Sequence, residues 1–149
     1  MPSQSLINGN VSFWYDEIGF PVPNEPLRES IDVDVCIVGA GYTGMWTAYY
    51  LKQAAPELSV VILEKEFAGF GASGRNGGWL TNSVTGGREQ YVSTHGKAAA
   101  LAIQLAMNNT VDEVIRVCHD EGIDADIVKG GELNVAYNSA QHARLLEWA

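Results

Sequence analysis

Apolar runs and polar breaks divide the chain into four parts. Residues 1–30 carry Phe13-Trp14-Tyr15, followed by Pro21, Pro23 and Pro26. Proline fixes φ and lacks a donor N–H, so this stretch reads as an arm without a regular helix. Its aromatic triplet docks on the rest of the chain, or serves at a substrate entrance or subunit contact. In residues 31–65, Val35-Cys36-Ile37-Val38 and Val60-Val61-Ile62-Leu63 are short continuous apolar runs. Runs of that length read as strands buried in a parallel sheet. Between them the pattern predicts a helix over about 43–54, closed by Pro56. Residues 66–96 show neither period and are rich in glycine. Residues 97–121 return to a helical period. Ile103, Met107, Val111, Val114 and Cys118 share one face, and Gln104, Asn108, Asp112, Arg116 and Asp120 the other. Gly122 suits the C′ position. Residues 131–137 alternate, with Leu133 and Val135 between Glu132 and Asn134, and predict a strand. Ser139 reads as the N-cap of a helix from Ala140 to Ala149.

Between the two apolar runs lies Gly39-Ala40-Gly41-Tyr42-Thr43-Gly44. Its three glycines have separate tasks. Gly39 turns the chain out of the strand. Gly41, without a Cβ, lets a pyrophosphate approach the backbone. Gly44 lets the helix pack close to the strand. The N–H groups of the helix start then face the phosphates, aided by the helix dipole. Glu64 ends the second strand twenty positions after Gly44, where a carboxylate can accept bonds from a ribose diol. It would repel a 2′-phosphate, which leaves NAD or FAD. A glycine pattern of this kind is weak alone; strand, helix, second strand and acid together make it specific.

The next segment separates the two cofactors. A nicotinamide-binding half usually returns quickly through a helix to a third strand. Here residues 66–95 are irregular, and a long irregular stretch in a compact domain is commonly functional. Ser73, Arg75 and Asn76 among glycines offer donors to an anionic or electron-rich ligand, as a second cradle for a long cofactor. The competing reading is a flexible surface loop. Two other motifs fail. Gly71-Ala72-Ser73-Gly74-Arg75 has Arg75 where a nucleophile elbow needs glycine. Gly96-Lys97-Ala98 lacks both the first glycine of a P-loop, where Tyr91 stands, and its hydroxyl residue after the lysine.

With the fingerprint closing on Glu64 and the run Gly71-Ala72-Ser73-Gly74-Arg75-Asn76-Gly77-Gly78, the chain resembles the D-amino-acid-oxidase superfamily of FAD-dependent oxidoreductases. Within it, the resemblance is to gamma-glutamylputrescine oxidase-like enzymes. It covers residues 12–149 and extends to Gly130-Gly131-Glu132-Leu133, similar to the first strand of that family's substrate domain. The implied fold is α/β: a Rossmann-like FAD-binding domain of the glutathione-reductase type, incomplete, with the start of an α+β substrate domain. The implied divisions are an arm at 1–30, the FAD-binding part at 31–122 and the substrate domain from 123 to 149. The resemblance implies that Gly39, Gly41, Tyr42, Thr43 and Gly44 hold the pyrophosphate. It places Glu64 and Lys65 at the adenosine, and Ser73, Gly74, Arg75, Asn76, Gly77 and Gly78 near the pyrophosphate and flavin ring. It implies oxidation of an amine or amino acid by hydride transfer to flavin N5, giving an imine and, with oxygen, hydrogen peroxide. A dehydrogenase of a non-amine substrate and a non-catalytic nucleotide-binding module are the alternatives. Some relatives attach flavin covalently through a histidine after the second strand; Arg75 stands at the comparable place here.

Composition narrows the partners. The chain has 149 residues and a net charge of −9, from nine basic and eighteen acidic residues. That disfavours nucleic acid and anionic membrane surfaces. No apolar run has the length of a membrane span, and the N-terminus does not read as a signal peptide, which predicts a cytoplasmic protein. Cys36 and Cys118 read as buried thiols. His95, His119 and His142 are isolated, with no metal cluster and no nucleophile–base pair; His95 is a weak active-site candidate. Catalytic residues are not legible, which fits a reaction carried by the cofactor. A single βαβ start and a last helix without a stop signal predict an N-terminal fragment, inactive toward amines and weak in FAD binding by itself.

Overall fold

The computed structural model describes residues 10–148. Two compact units divide between Trp79 and Leu80. The division falls within segment 31–122, and the arm belongs to the first unit.

In the first unit, helix α1 spans Phe13–Ile18, strand β1 Val35–Val38, helix α2 Tyr42–Ala54 and strand β2 Val60–Leu63. A 3-10 turn covers Ala72–Gly74. The strands pair in parallel, in the register Val35↔Val60 to Val38↔Leu63, as a two-stranded sheet. Parallel pairing needs a crossover, and α2 supplies it, lying against both strands. At the sheet's lower end Asp34 and Ser59 lock the register. The Ser59 N–H and hydroxyl donate to Asp34 Oδ2 at 2.8 and 2.6 Å, and the Asp34 N–H donates to Ser59 Oγ at 2.9 Å. These bonds favour the ionised carboxylate and hold the Asp34 pKa below its ordinary value.

Two expectations for this unit are corrected. The arm does hold a helix, α1, because no proline falls within Phe13–Ile18 and Pro21 comes only after Gly19 has closed the turn. Ser12 caps it, its hydroxyl facing the Tyr15 N–H at 3.5 Å. Cys36 is exposed rather than buried, because β1 alternates and α2 covers only one of its faces. Val38, on the same face, is 86% exposed.

In the second unit, helix α3 spans Arg88–Asp120 and helix α4 Ser139–Trp148. α3 starts nine residues before the expected Lys97 and is interrupted at Gly96, whose φ of 81° lies outside helical space. The expected apolar face is half-buried, and the deepest residues of α3 are Ala100 and Val117, which the expected face did not include. Gln104 and Asn108, on the polar face, tie down the preceding loop. Gln104 Nε2 donates to the Asn82 carbonyl at 3.1 Å, and Asn82 Nδ2 donates to Asn108 Oδ1 at 2.8 Å. Lys129 pairs with Asp112, returning the following segment to the helix.

The expected strand at 131–137 is absent. No extended segment runs beside it among the described residues, and Leu133 and Tyr137 are exposed. Period-2 alternation yields a strand only where a neighbour completes the ladder. The cap of α4 is Asn138 rather than Ser139: Asn138 Oδ1 accepts the Gln141 N–H at 2.9 Å, and Gln141 Oε1 accepts the Tyr137 N–H at 2.7 Å. Both amides of Asn and hydroxyls of Ser cap well, so sequence alone left the choice open. Cys118 is partly buried. Among the described residues, no helix is long and apolar enough to cross a membrane.

Candidate functional site

The glycine turn Gly39–Gly44 sits where β1 passes into α2. Gly39 has a φ of 99°, a conformation that L side chains rarely adopt, and its N–H donates to the Leu63 carbonyl at 2.8 Å. The turn is therefore tied to the end of β2. Gly44 is required by packing: a Cβ there would fall inside van der Waals contact with the Gly39 carbonyl oxygen and within 3.2 Å of Ile37 Cγ2. Gly41 is the N-cap of α2 and has no side chain to offer.

Ser73 supplies what Gly41 lacks. Its Oγ accepts the Tyr42 N–H at 2.9 Å. A second bond joins the same segments, from the Gly69 N–H to the Ala40 carbonyl at 2.9 Å. A Cβ on Gly41 would meet Ser73 Oγ at 3.0 Å. The fingerprint turn and the run 71–78 thus form one surface.

Glu64 reaches the same turn from β2. Its Oε2 accepts the Ala40 N–H at 2.9 Å and its Oε1 the Glu66 N–H at 3.1 Å. These donors, Ala40 first, lower its pKa from the ordinary carboxylate value and keep it ionised. A carboxylate has about four lone-pair sites, and the Ala40, Glu66 and Lys65 N–H groups do not fill them all, so acceptor capacity is left for a hydroxyl donor. Lys65 is exposed and lies 3.7 Å from Glu66.

Within the run 71–78 the polar side chains organise the loop itself. Arg75 Nε donates to the Phe70 carbonyl at 2.8 Å, and Nη1 to the Val11 carbonyl at 3.1 Å. Its guanidinium stacks 4.8 Å above the Phe70 ring centre. Asn76 Nδ2 donates to the Ser73 carbonyl at 2.7 Å, and its Oδ1 accepts the Gly78 N–H at 2.7 Å. Gly78 has a φ of 75°.

Reasoning from sequence missed the arm's part in this surface. Trp14 Nε1 donates to the Asn76 carbonyl at 2.8 Å, and Tyr15 OH to the Ala68 carbonyl at 2.8 Å. Tyr15, Phe20, Phe67 and Phe70 form an aromatic cluster with neighbouring ring centres 5.0 to 5.6 Å apart. The signal was the triplet Phe13-Trp14-Tyr15 itself, which marked a docking segment without naming its seat. Val11, Ser12, Trp14, Arg75, Asn76 and Gly77 line a hollow of about 460 Å³ together with Phe13. His95, His119 and His142 lie in the other unit, all exposed; His95 Nδ1 is 2.7 Å from Thr94 Oγ1 and His119 pairs with Asp120. Among the described residues no group of His, Cys, Asp or Glu is arranged to hold a metal ion.

The residues fit a dinucleotide. The N–H groups of Thr43 and Gly44, in the first turn of α2, have no intrahelical acceptor and present the positive end of the dipole. Gly71 and Gly77 have no atom within 4 Å of a built Cβ, so no neighbour in the chain requires glycine there. A strand, a glycine turn capping a helix, a second strand and its terminal acid define a dinucleotide-binding α/β domain.

The chain belongs to the DAO family of FAD dependent oxidoreductases, whose sequence model matches residues 34–149. FAD is that family's cofactor, and its binding domain is a Rossmann-like α/β fold. The chain is 40% identical to the gamma-glutamylputrescine oxidoreductase of Escherichia coli (strain K12), over 84% of this chain and 29% of that protein. It is 30% identical to the probable oxidoreductase OrdL of Haemophilus influenzae, over 80% of this chain and 27% of that protein. It therefore spans less than a third of the length of either relative. No solved structure matches it significantly.

Proposed function

We propose that this chain is the FAD-binding part of an enzyme that oxidises a small primary or secondary amine, or an amino acid, to an imine. The observation that carries this reading is the junction of the fingerprint with the run 71–78, through Ser73 on Tyr42 and Gly69 on Ala40. That junction builds one extended cradle, long enough in chemistry for a phosphate-bridged cofactor with groups at both ends. The likeness to gamma-glutamylputrescine oxidoreductase supports an amine as the substrate class. The net charge of −9 supports a cationic small molecule over nucleic acid.

Bound FAD supplies a two-electron acceptor for the hydride leaving the substrate carbon. The chain's residues do the rest by position and charge. Gly39, Gly41, Thr43 and Gly44 take the pyrophosphate, with Tyr42 holding the turn through Ser73. Glu64 accepts from the ribose with its remaining acceptor capacity, and Lys65 borders the adenosine. Ser73, Gly74, Arg75, Asn76, Gly77 and Gly78 face the pyrophosphate and flavin ring. Arg75 fixes the loop with two of its five donors, on the Phe70 and Val11 carbonyls. The same reading assigns the glutathione-reductase type to the fold, residues 31–122 to the FAD-binding domain and 123–149 to the start of an α+β substrate domain. It places the arm at 1–30 and the protein in the cytoplasm.

The test is the full-length protein, purified and examined for flavin absorbance, then assayed for peroxide release with amines, amino acids and hydroxy acids. Flavin with amine-dependent peroxide, or amine-dependent reduction of an artificial acceptor, is expected. Turnover confined to hydroxy acids, or flavin without turnover on any donor, would overturn the proposal.

A further inference from the structure

The arm does more than cover apolar surface. Trp14 is 41% exposed and packs edge-on against Phe13, so more than half of its surface is covered. Beside that packing it makes one directed polar contact and one close steric one. Nε1 donates to the Asn76 carbonyl at 2.8 Å, and the six-membered ring edge lies where a Cβ on Gly78 would meet Cζ2 at 2.9 Å. Tyr15 stands likewise over Gly69 and Gly74, where an added Cβ would meet its hydroxyl at 2.7 Å and Cε2 at 3.0 Å. In return Arg75 Nη1 reaches the arm at the Val11 carbonyl. Three glycines of the loop are therefore seats for two rings of the arm. Gly77 is different: nothing lies within 4 Å of its built Cβ.

The planar peptide links these facts. The Asn76 carbonyl and the Gly77 N–H belong to one trans peptide unit and point in opposite directions. With the carbonyl held toward Trp14, the Gly77 N–H points away from the indole nitrogen. The neighbouring peptide is held independently, since the Gly78 N–H donates to Asn76 Oδ1. The Gly77 N–H makes no bond among the described residues. A peptide between Asn76 and two glycines would otherwise rotate freely and lose that freedom only on binding.

We propose that Trp14 is a positioning residue that aims the Gly77 N–H at the cofactor, as a donor to an oxygen or ring nitrogen of FAD. This rests on the cofactor reading above, which gives the unbonded Gly77 N–H its acceptor. The arm thereby orders the donor before the cofactor arrives.

The test compares full-length wild type with Trp14→Phe and Tyr15→Phe. Trp14→Phe keeps an aromatic ring and loses the donor. It should weaken FAD binding by about 3- to 10-fold, as for one hydrogen bond. It should also shift the visible flavin absorption and lower the NMR order parameter of the Gly77 amide in the FAD-free protein, while Tm stays at the wild-type value. Tyr15→Phe releases the Ala68 carbonyl and should leave the flavin spectrum unchanged. Equal spectral shifts in both variants would mean general docking of the arm and overturn the proposal. So would an unchanged FAD affinity and spectrum in Trp14→Phe. A wild type that takes up no FAD would instead sink the cofactor reading, and the proposal with it.

Discussion

The Ser73 hydroxyl oxygen accepts the Tyr42 N–H at 2.9 Å, across 31 residues of chain. Helix α2 thus receives from a distant loop the cap that its own N-cap glycine cannot provide. The arrangement resolves a conflict. A phosphate can approach the start of α2 only if position 41 has no side chain, yet a helix start without a capping oxygen leaves N–H groups unsatisfied. Placing the oxygen on Ser73 meets both needs and ties the two halves of the cradle together.

Ser73→Ala should therefore lower the stability of the FAD-free full-length protein by about 1 kcal/mol, the usual worth of an N-cap. It should also weaken FAD binding, because the loop is released from the fingerprint turn. Urea unfolding and FAD titration measure the two effects. A variant with wild-type values in both would show that the bond contributes nothing.

Glu64→Ala should weaken FAD binding by about 10- to 150-fold, the range for hydrogen bonds to a charged acceptor. Glu64→Gln should fall between the two, since its amide keeps one acceptor oxygen. Titration of the FAD-free full-length protein checks this, and an unchanged dissociation constant in Glu64→Ala would remove Glu64 from the ribose site.

Gly44→Ala should destabilise the fold even without cofactor, because the added methyl overlaps the Gly39 carbonyl; overpacking of this kind costs about 1–3 kcal/mol or more. Gly41→Val should act differently. It would crowd Ser73 Oγ and fill the phosphate approach, so FAD binding should fall further than stability does. Thermal unfolding with and without FAD distinguishes the two: the stabilisation by FAD should vanish in Gly41→Val.

Acid should weaken the first unit in a defined direction. Asp34 is held below its ordinary pKa first by the Ser59 hydroxyl, then by the Ser59 N–H; Glu64 first by the Ala40 N–H, then by Glu66. Both bind protons more readily when unfolded. Their contribution is present above the unfolded values, near pH 4, and is lost as pH falls through the lower folded values. Asp34→Asn should therefore flatten the fall in stability between about pH 5 and pH 3. Urea midpoints at several pH values measure it, and an identical slope in wild type and variant would contradict the assignment.

No flavin should be attached covalently within residues 71–78. A guanidinium is not a nucleophile, and Arg75 is anchored on the Phe70 and Val11 carbonyls. After acid precipitation of the full-length holoenzyme, peptide mapping should find no flavin on this run. A flavin-bearing peptide containing Arg75 would refute it.

The sequence by itself determined β1, α2, β2 and the terminal acid. Apolar runs of strand length, three glycines at fixed spacing and Pro56 are local signals, and each dictates local backbone geometry. It also marked the run 71–78 as one piece of chemistry with the fingerprint. It could not say how the two were joined, since the Ser73–Tyr42 and Gly69–Ala40 bonds link residues far apart in the chain. Nor could it show that Trp14 and Tyr15 face the glycines of that run, or that Arg75 turns to the Phe70 and Val11 carbonyls. The exposure of Cys36 and the missing strand at 131–137 have the same origin. Whether an apolar face is covered, or an alternating segment paired, depends on a neighbour that no local pattern contains. The tertiary structure decided those points because hydrogen bonds and burial are completed between segments, while propensity and periodicity act only within them.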